Sequence, residues 1–558
     1  MKRHVVLAAL VIVVSAFAAP VAWQQEPTYD LLIRGGRVMD GTGNPWFPAD
    51  VAVKDGRIAA VGRLDDATAT HVIDATGKYV TPGFIDIHSH ADDGARAEGG
   101  FRDVDPKRRA APNLVSQGIT TVVVNQDGRS PWPISDQRAL IEKHGIGPNT
   151  LMLVGHGTIR RIAMGADVER PATAAEIVRM RELLRQGLAE GAVGLSAGLE
   201  YEPGRWSTTP ELVEVAKELV PAQGIYISHE RSEGSDPLWY VPSQDGPGPP
   251  TLLDAVAETI EIGEKTGARV VASHLKAKGE GYWGSSVAAV GLIQRARDRG
   301  VDVWADQYPY PTSGTDGSTV LIPAWATRAP TDDGRAAVLK RMLGEAELEK
   351  KIRGDISHEI ARRGGAANIV VYDYTDKTLY GRTLQDIAHD WKLDPVDAAI
   401  RIQMEGLPGR RGGARMRGFS MSEDDLEFIA KQPWVATSTD AGIALPGDGP
   451  ATHARFYGSF PRKIRHYALD RGAITLEAAI RASTSLPAQI MRLQDRGLIR
   501  EGFAADLVVL DLAELKDTAT FFDPHQYAEG VDYVFVNGTA VIDDTALTFA
   551  LAGKVISR

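Results

Sequence analysis

Tyr29-Asp-Leu-Leu-Ile-Arg-Gly-Gly-Arg-Val38 alternates apolar and polar positions until a Gly/Asn/Pro cluster interrupts it. A period of two places one face of a strand in a core and the other in water. Val51-Ala-Val-Lys-Asp-Gly-Arg-Ile-Ala-Ala-Val-Gly62 continues the pattern on either side of Asp55-Gly56, a dipeptide suited to a tight hairpin turn. The same texture returns near the other end, in Ala505-Asp-Leu-Val-Val-Leu510, Val531-Asp-Tyr-Val-Phe-Val-Asn-Gly538 and Thr539-Ala-Val-Ile542. These two flanks, 23–82 and 486–558, predict one small β-sandwich built from both ends of the chain.

The middle, 83–485, reads differently. Short apolar runs at 120–124, 151–154, 193–196, 225–228, 270–273, 301–305 and 435–438 alternate with amphipathic stretches such as Ala174–Ala189. Strand and helix alternating at this density imply a parallel sheet, and about eight strands imply a (β/α)8 barrel of the α/β class. The stretch 330–431 is too long for a loop and predicts an inserted helical subdomain. At the start, Lys2 and Arg3 precede an apolar run over 5–14 and a small-residue exit, Ser15-Ala16-Phe17-Ala18-Ala19. That order describes a cleaved signal peptide over 1–22, and hence a periplasmic or secreted bacterial protein with no stable membrane association after cleavage.

Composition narrows the function. The 558 residues carry 62 Lys+Arg against 73 Asp+Glu, a net charge of −11, which argues against binding nucleic acid through a basic surface. Cysteine is absent, which excludes disulfides, thiolate metal ligands and a cysteine nucleophile.

The chemistry gathers at expected strand ends, where barrels of this kind place their active sites. In Phe84-Ile-Asp-Ile-His-Ser-His90, alternation turns Asp86, His88 and His90 to one face and Ile85 and Ile87 to the other. Ile227-Ser-His229, Ala272-Ser-His274 and Ser438-Thr-Asp440 repeat the arrangement after later apolar runs. Four histidines and an aspartate converging on one barrel face form a set suited to zinc or a related ion. Burying so many titratable groups without a shared partner would be costly. Such an ion yields hydroxide at neutral pH, and Asp440 is placed to manage protons.

The ordered motifs resemble the amidohydrolase superfamily, and within it the N-acyl-D-amino-acid deacylase (D-aminoacylase) family. They include Gly83-Phe-Ile-Asp-Ile-His-Ser-His90, Gly155-His-Gly-Thr158, Ser273-His-Leu-Lys-Ala277, Tyr308-Pro-Tyr310, Ser438-Thr-Asp440, His453-Ala-Arg455 and Gly502-Phe-Ala-Ala-Asp-Leu-Val-Val509. The resemblance implies a metal-dependent amide hydrolase acting on a small N-acyl-D-amino acid by metal-hydroxide attack. It assigns His88, His90, His229 and His274 as metal ligands and Asp440 as ligand and general acid/base. It further implies that Lys276, Tyr308 and Arg455 hold the substrate's α-carboxylate. Where many members of that family carry a bridging cysteine, this chain reads Val124-Asn-Gln-Asp-Gly128, which makes Asp127 the expected replacement. Glu200 and Glu202 are other carboxylates near the fourth strand that could bridge. The serine that the family uses after Tyr-Pro-Tyr has only the reordered Thr312-Ser313-Gly314-Thr315 as a counterpart. His156 could line the pocket or serve the core, and Arg231 could orient substrate or pair with Glu230. A dipeptidase or cyclic-amide hydrolase on the same barrel, and a non-catalytic exported metal-binding barrel, are the alternative readings.

Overall fold

The computed structural model describes residues 28–92, 99–314, 319–329, 334–407, 409–448 and 453–557. The expected signal peptide over 1–22 lies outside them. Both chain ends enter one nine-stranded sheet. Its seam is the antiparallel pairing of Tyr79–Pro82 with Leu507–Leu510. The hairpin of Phe47–Lys54 and Arg57–Gly62 turns through Asp55 and Gly56 at φ 49° and 71°. Both turn positions are left-handed, which is why the tight turn favours Asp-Gly. Leu31, Ile33, Val51, Val53, Leu507 and Phe535 meet in the core beneath this sheet.

Eight parallel barrel strands follow, labelled β1 to β8: β1 Phe84–Asp86, β2 Ile119–Val124, β3 Asn149–Met152 continued by Val154–Gly155, β4 Gly194–Gly198, β5 Ile225–His229, β6 Arg269–Ala272, β7 Val303–Gln307 and β8 Val435–Thr437. Each pairs with its chain-order neighbour, and a parallel bridge between Ser89 and Ala441 closes the ring beyond β1 and β8. Helices cover the outer face of the strands and the packed barrel interior covers the inner one, so β2 is buried at all six positions. The barrel core is continuous with Val508, Leu510, Val534 and Val536 of the β-domain. The last residues return to the barrel, where Gly553 bridges Ile146 and Val555 bridges Thr150.

Between β7 and β8 a second apolar cluster runs from Leu321 to Met416. Its helices are Arg335–Met342, Ala346–Arg362, Leu384–Trp391 and Pro395–Glu405, joined by an antiparallel pair, Ile369–Asp373 with Arg415–Gly418. Helix Glu423–Ala430, inside the span expected for the insertion, packs instead on the barrel helix Ser286–Asp298 and leads into β8. Among the described residues no helix is long and apolar enough to cross a membrane.

Candidate metal centre

The parallel register brings the ends of β1, β2, β5, β6 and β8 to one mouth. His88 and His90 lie just beyond β1, Asp127 beyond β2, His229 ends β5, His274 follows β6 and Asp440 follows β8. Asp127 sits among the histidines: Oδ1 lies 3.5 Å from His88 Nε2, 3.6 Å from His229 Nδ1 and 3.9 Å from His274 Nε2, and Oδ2 lies 3.5 Å from His90 Nε2. Asp440 Oδ1 lies 3.2 Å from His90 Nε2 and 3.6 Å from His88 Nε2. Asp127, His274 and Asp440 adopt φ of 57°, 36° and 51°, left-handed values that are costly for side-chain-bearing residues and cluster at functional sites. Gly198, at the end of β4, allows a close approach here, because a Cβ would meet the Asp127 carbonyl oxygen at 2.2 Å.

Hydrogen bonding fixes which nitrogens face inward. Asp306 of β7 accepts from Ser273 Oγ at 2.7 Å, Ser438 Oγ at 2.7 Å and the His274 backbone N–H at 3.0 Å. With its proton committed to Asp306, the Ser273 hydroxyl oxygen accepts from His88 Nδ1–H. His88 therefore turns a bare Nε2 lone pair toward two carboxylates. His88 Nε2 and Asp127 Oδ1 are buried without a hydrogen-bond partner. Acceptors converging on acceptors with no proton between them require a cation, and a divalent ion with nitrogen and oxygen ligands fits this donor set. His229 Nε2 faces Glu200 Oε2 at 3.2 Å, an outer carboxylate contact of the kind that orients ligating histidines. Glu200 is thus an orienting partner rather than the bridge, and Glu202 has a 60% exposed side chain beside Arg205.

The electrostatics are strongly coupled. Burial lowers the pKa of His88 and, with Lys276 adjacent, takes that of His274 well below the usual range. Burial opposes a charge on His229, but Asp127, Glu233 and Glu200 outweigh it and raise its pKa. Burial likewise opposes ionised Asp440, yet Arg455 and His90 hold it well below the ordinary carboxylate range. Arg455 Nη1 donates to Asp440 Oδ2 at 2.7 Å. Lys276 Nζ lies 2.5 Å from Glu233 Oε1 and 2.9 Å from His274 Nδ1. Tyr308 lies between the two cations, with Lys276 5.1 Å and Arg455 4.7 Å from its ring centre, and its buried hydroxyl has no partner. All three line a cavity of about 940 Å³ that also reaches His90, Asp127 and Asp440.

Every nominated ligand and clamp residue therefore meets at one mouth. Ser313 also lines the cavity, while Thr315 lies outside the described residues. The other two candidates lie elsewhere. His156 is fully buried against Glu211 at 3.1 Å, in a structural ion network with Arg160. Arg231 pairs with Glu258 at 2.8 Å rather than with Glu230, which accepts from Thr259. Glu233 was not anticipated: it lies 3.3 Å from His274 Nδ1 and bonds Lys276 and Lys278. Its only sequence signal is its position four residues past His229.

Comparison with known proteins accords with this geometry. A model described as "Amidohydrolase family" matches residues 71–225 and 394–542. A D-aminoacylase of Alcaligenes xylosoxydans xylosoxydans is 32% identical over 553 residues, 95% of this chain and 98% of that one. A solved structure of the binuclear metal centre of a D-aminoacylase, described with one-metal activation and second-metal attenuation, superposes with TM-score 0.72 at 30% identity, covering 95% of this chain and 100% of that one. N-acyl-D-glutamate deacylase from Bordetella bronchiseptica, solved with zinc and a phosphonate mimic of the tetrahedral intermediate, gives TM-score 0.71 at 32% identity, with coverage of 95% and 100%.

Proposed function

The chain belongs to the amidohydrolase family and to its D-aminoacylase branch, and from that membership we propose that it hydrolyses the amide of N-acyl-D-amino acids. It is a hydrolase of carbon–nitrogen bonds other than peptide bonds. The observation that carries this reading is the pair of bare buried acceptors, His88 Nε2 and Asp127 Oδ1, facing each other and Asp440 beside a Lys–Tyr–Arg cluster. His88, His90, Asp127, His229, His274 and Asp440 are the residues that would hold zinc, which when bound polarises an acyl carbonyl and acidifies water at neutral pH.

The remaining steps belong to this chain's own side chains. Lys276 and Arg455 supply positive charge for the α-carboxylate, and the unpartnered Tyr308 hydroxyl can donate to it. These groups hold the amide in one orientation, which converts binding energy into positioning. Asp440, kept ionised by Arg455, accepts a proton from the attacking water and delivers it to the amide nitrogen as the C–N bond breaks. Asp306 and Glu200 keep the histidines turned toward the centre. The signal-like N-terminus supports action in the bacterial periplasm or medium.

The test is a panel of N-acetyl-D- and N-acetyl-L-amino acids on protein of measured metal content. Turnover of the D series by metal-containing enzyme, lost in Asp440→Asn, is the expected result. Metal-loaded protein without D-series turnover, or full activity in Asp440→Asn, overturns the proposal.

A further inference from the structure

The cavity wall carries more positive charge than one α-carboxylate needs. Most of it is already engaged: Lys276 and Lys278 bond Glu233, Arg455 bonds Asp440, Arg363 bonds Glu359, Arg108 bonds Asp448 and Arg102 bonds Asp92. Arg129 differs. It lines the same cavity two residues past Asp127, is exposed, and among the described residues makes no ion pair or side-chain hydrogen bond. Its guanidinium lies 5.8 Å from the centre of the Tyr201 ring, and that ring lies 4.3 Å from His229. The cation is thus placed beside the metal centre rather than adrift in solvent.

Position in the ring decides what it faces. Arg129 follows β2 and leans over Tyr201, which follows β4, so the guanidinium stands above the β2–β4 side of the mouth. In a closed ring of eight strands the opposite side is β6–β7, which carries Lys276 and Tyr308. An amide whose amino-acid carboxylate is clamped on the β6–β7 side, with its carbonyl at the central ligands, extends its acyl group toward Arg129. The cavity of about 940 Å³ is also larger than an N-acetyl amino acid requires.

We infer that Arg129 recognises an anionic group on the acyl portion of the substrate, so that the preferred substrates are half-amides of dicarboxylic acids, of the N-succinyl type, rather than N-acetyl compounds. This rests on the deacylase reading above. The reaction balances as hydrolysis: one water is consumed, the C–N bond breaks, the acyl carbon leaves as a second carboxylate and the nitrogen takes a proton. An arginine–carboxylate contact is charge-assisted and can be bidentate, and a gain of about tenfold or more in kcat/KM is expected.

The experiment compares N-succinyl-D-leucine with N-pentanoyl-D-leucine, a neutral counterpart in which an ethyl group replaces the terminal carboxylate, on metal-analysed full-length enzyme, with N-acetyl-D-leucine and N-acetyl-D-glutamate alongside. The readout is the ratio of kcat/KM values within each protein, which cancels any difference in metal loading or folding. The succinyl/pentanoyl ratio is expected near ten or above in the unaltered enzyme, near one in Arg129→Leu, and partly retained in Arg129→Lys. A ratio of one or below in the unaltered enzyme overturns the inference, as does a ratio that survives in Arg129→Leu. A change confined to the glutamate/leucine preference in Arg129→Leu also overturns it, by placing the cation at the amino-acid side chain. Absence of turnover for all four substrates in metal-loaded enzyme refutes the deacylase reading itself, and this inference with it.

Discussion

The barrel and the insertion between β7 and β8 are held together in opposite ways. The barrel encloses a polar network at its mouth, in which Asp306 alone fixes Ser273, Ser438 and the His274 backbone. Those groups are buried, so each hydrogen bond constrains a neighbour and the ligands inherit one geometry. The insertion has a separate apolar core and meets the barrel loop after β5 through polar contacts: Arg362 on Asp236 at 3.0 Å, His358 on Asp236 at 3.2 Å and Ser243 Oγ on Asp355 at 2.6 Å. Precision in this molecule therefore resides in the barrel's buried polar layer. This contrast predicts that the insertion loosens without dismantling the ligand set.

Four experiments would break or sharpen that contrast. Asp440→Asn removes the proton carrier while preserving shape, and kcat should fall by about 10²–10⁴ with the fold retained, as read by steady-state kinetics and circular dichroism. Ile356→Ala opens the insertion's core and should destabilise that unit by about 2–5 kcal/mol. Hydrogen exchange should then rise over 321–418 while the metal content stays constant; loss of metal instead would show that the two regions are one cooperative unit. Asp306→Asn leaves the ligands in place but frees the Ser273 proton, and metal affinity should drop about 10–100-fold by competition with a chelator. The mildest effect comes from acid. Burial works against the Glu359 carboxylate, but Arg363 and Arg362 hold it at about 2, below its ordinary value of 4.5. Its contribution to the insertion is thus complete above about 4.5 and is lost as pH falls toward 2, when the unfolded chain takes up the proton first. Protection from exchange over Ala346–Arg362, taken relative to the intrinsic rate at each pH, should be lower at pH 3 than at pH 6, and Glu359→Gln should flatten the difference.

Much of the barrel was legible because its strands announce themselves as apolar runs between helices. Each run from 120–124 to 435–438 overlaps a strand, and His229 and His274 stand at strand ends where the pattern put them. The β-domain was legible from its alternation and from Asp55-Gly56. Glu233 and Asp306 were not. One lies in a loop and the other inside β7, and apart from the spacing of Glu233 from His229 nothing local distinguishes them from other acidic residues. Their roles exist only because β5, β6 and β7 are adjacent. The insertion was legible as a helical excursion, but its paired strands and the return of helix Glu423–Ala430 to the barrel depend on packing that spacing does not encode.

The sequence by itself determined the barrel with its β-rich flanks, the inward histidines and the missing cysteine, because periodicity and residue chemistry are local properties. Only the tertiary structure decided that Asp127 stands among four histidines, that Glu200 orients rather than bridges, that His156 serves the core, that Arg231 pairs with Glu258, and that Arg129 lies beside Tyr201 at the mouth. Those outcomes depend on which strand ends become neighbours and which become opposites when the ring closes, and closure joins residues as far apart in the chain as Ser89 and Ala441.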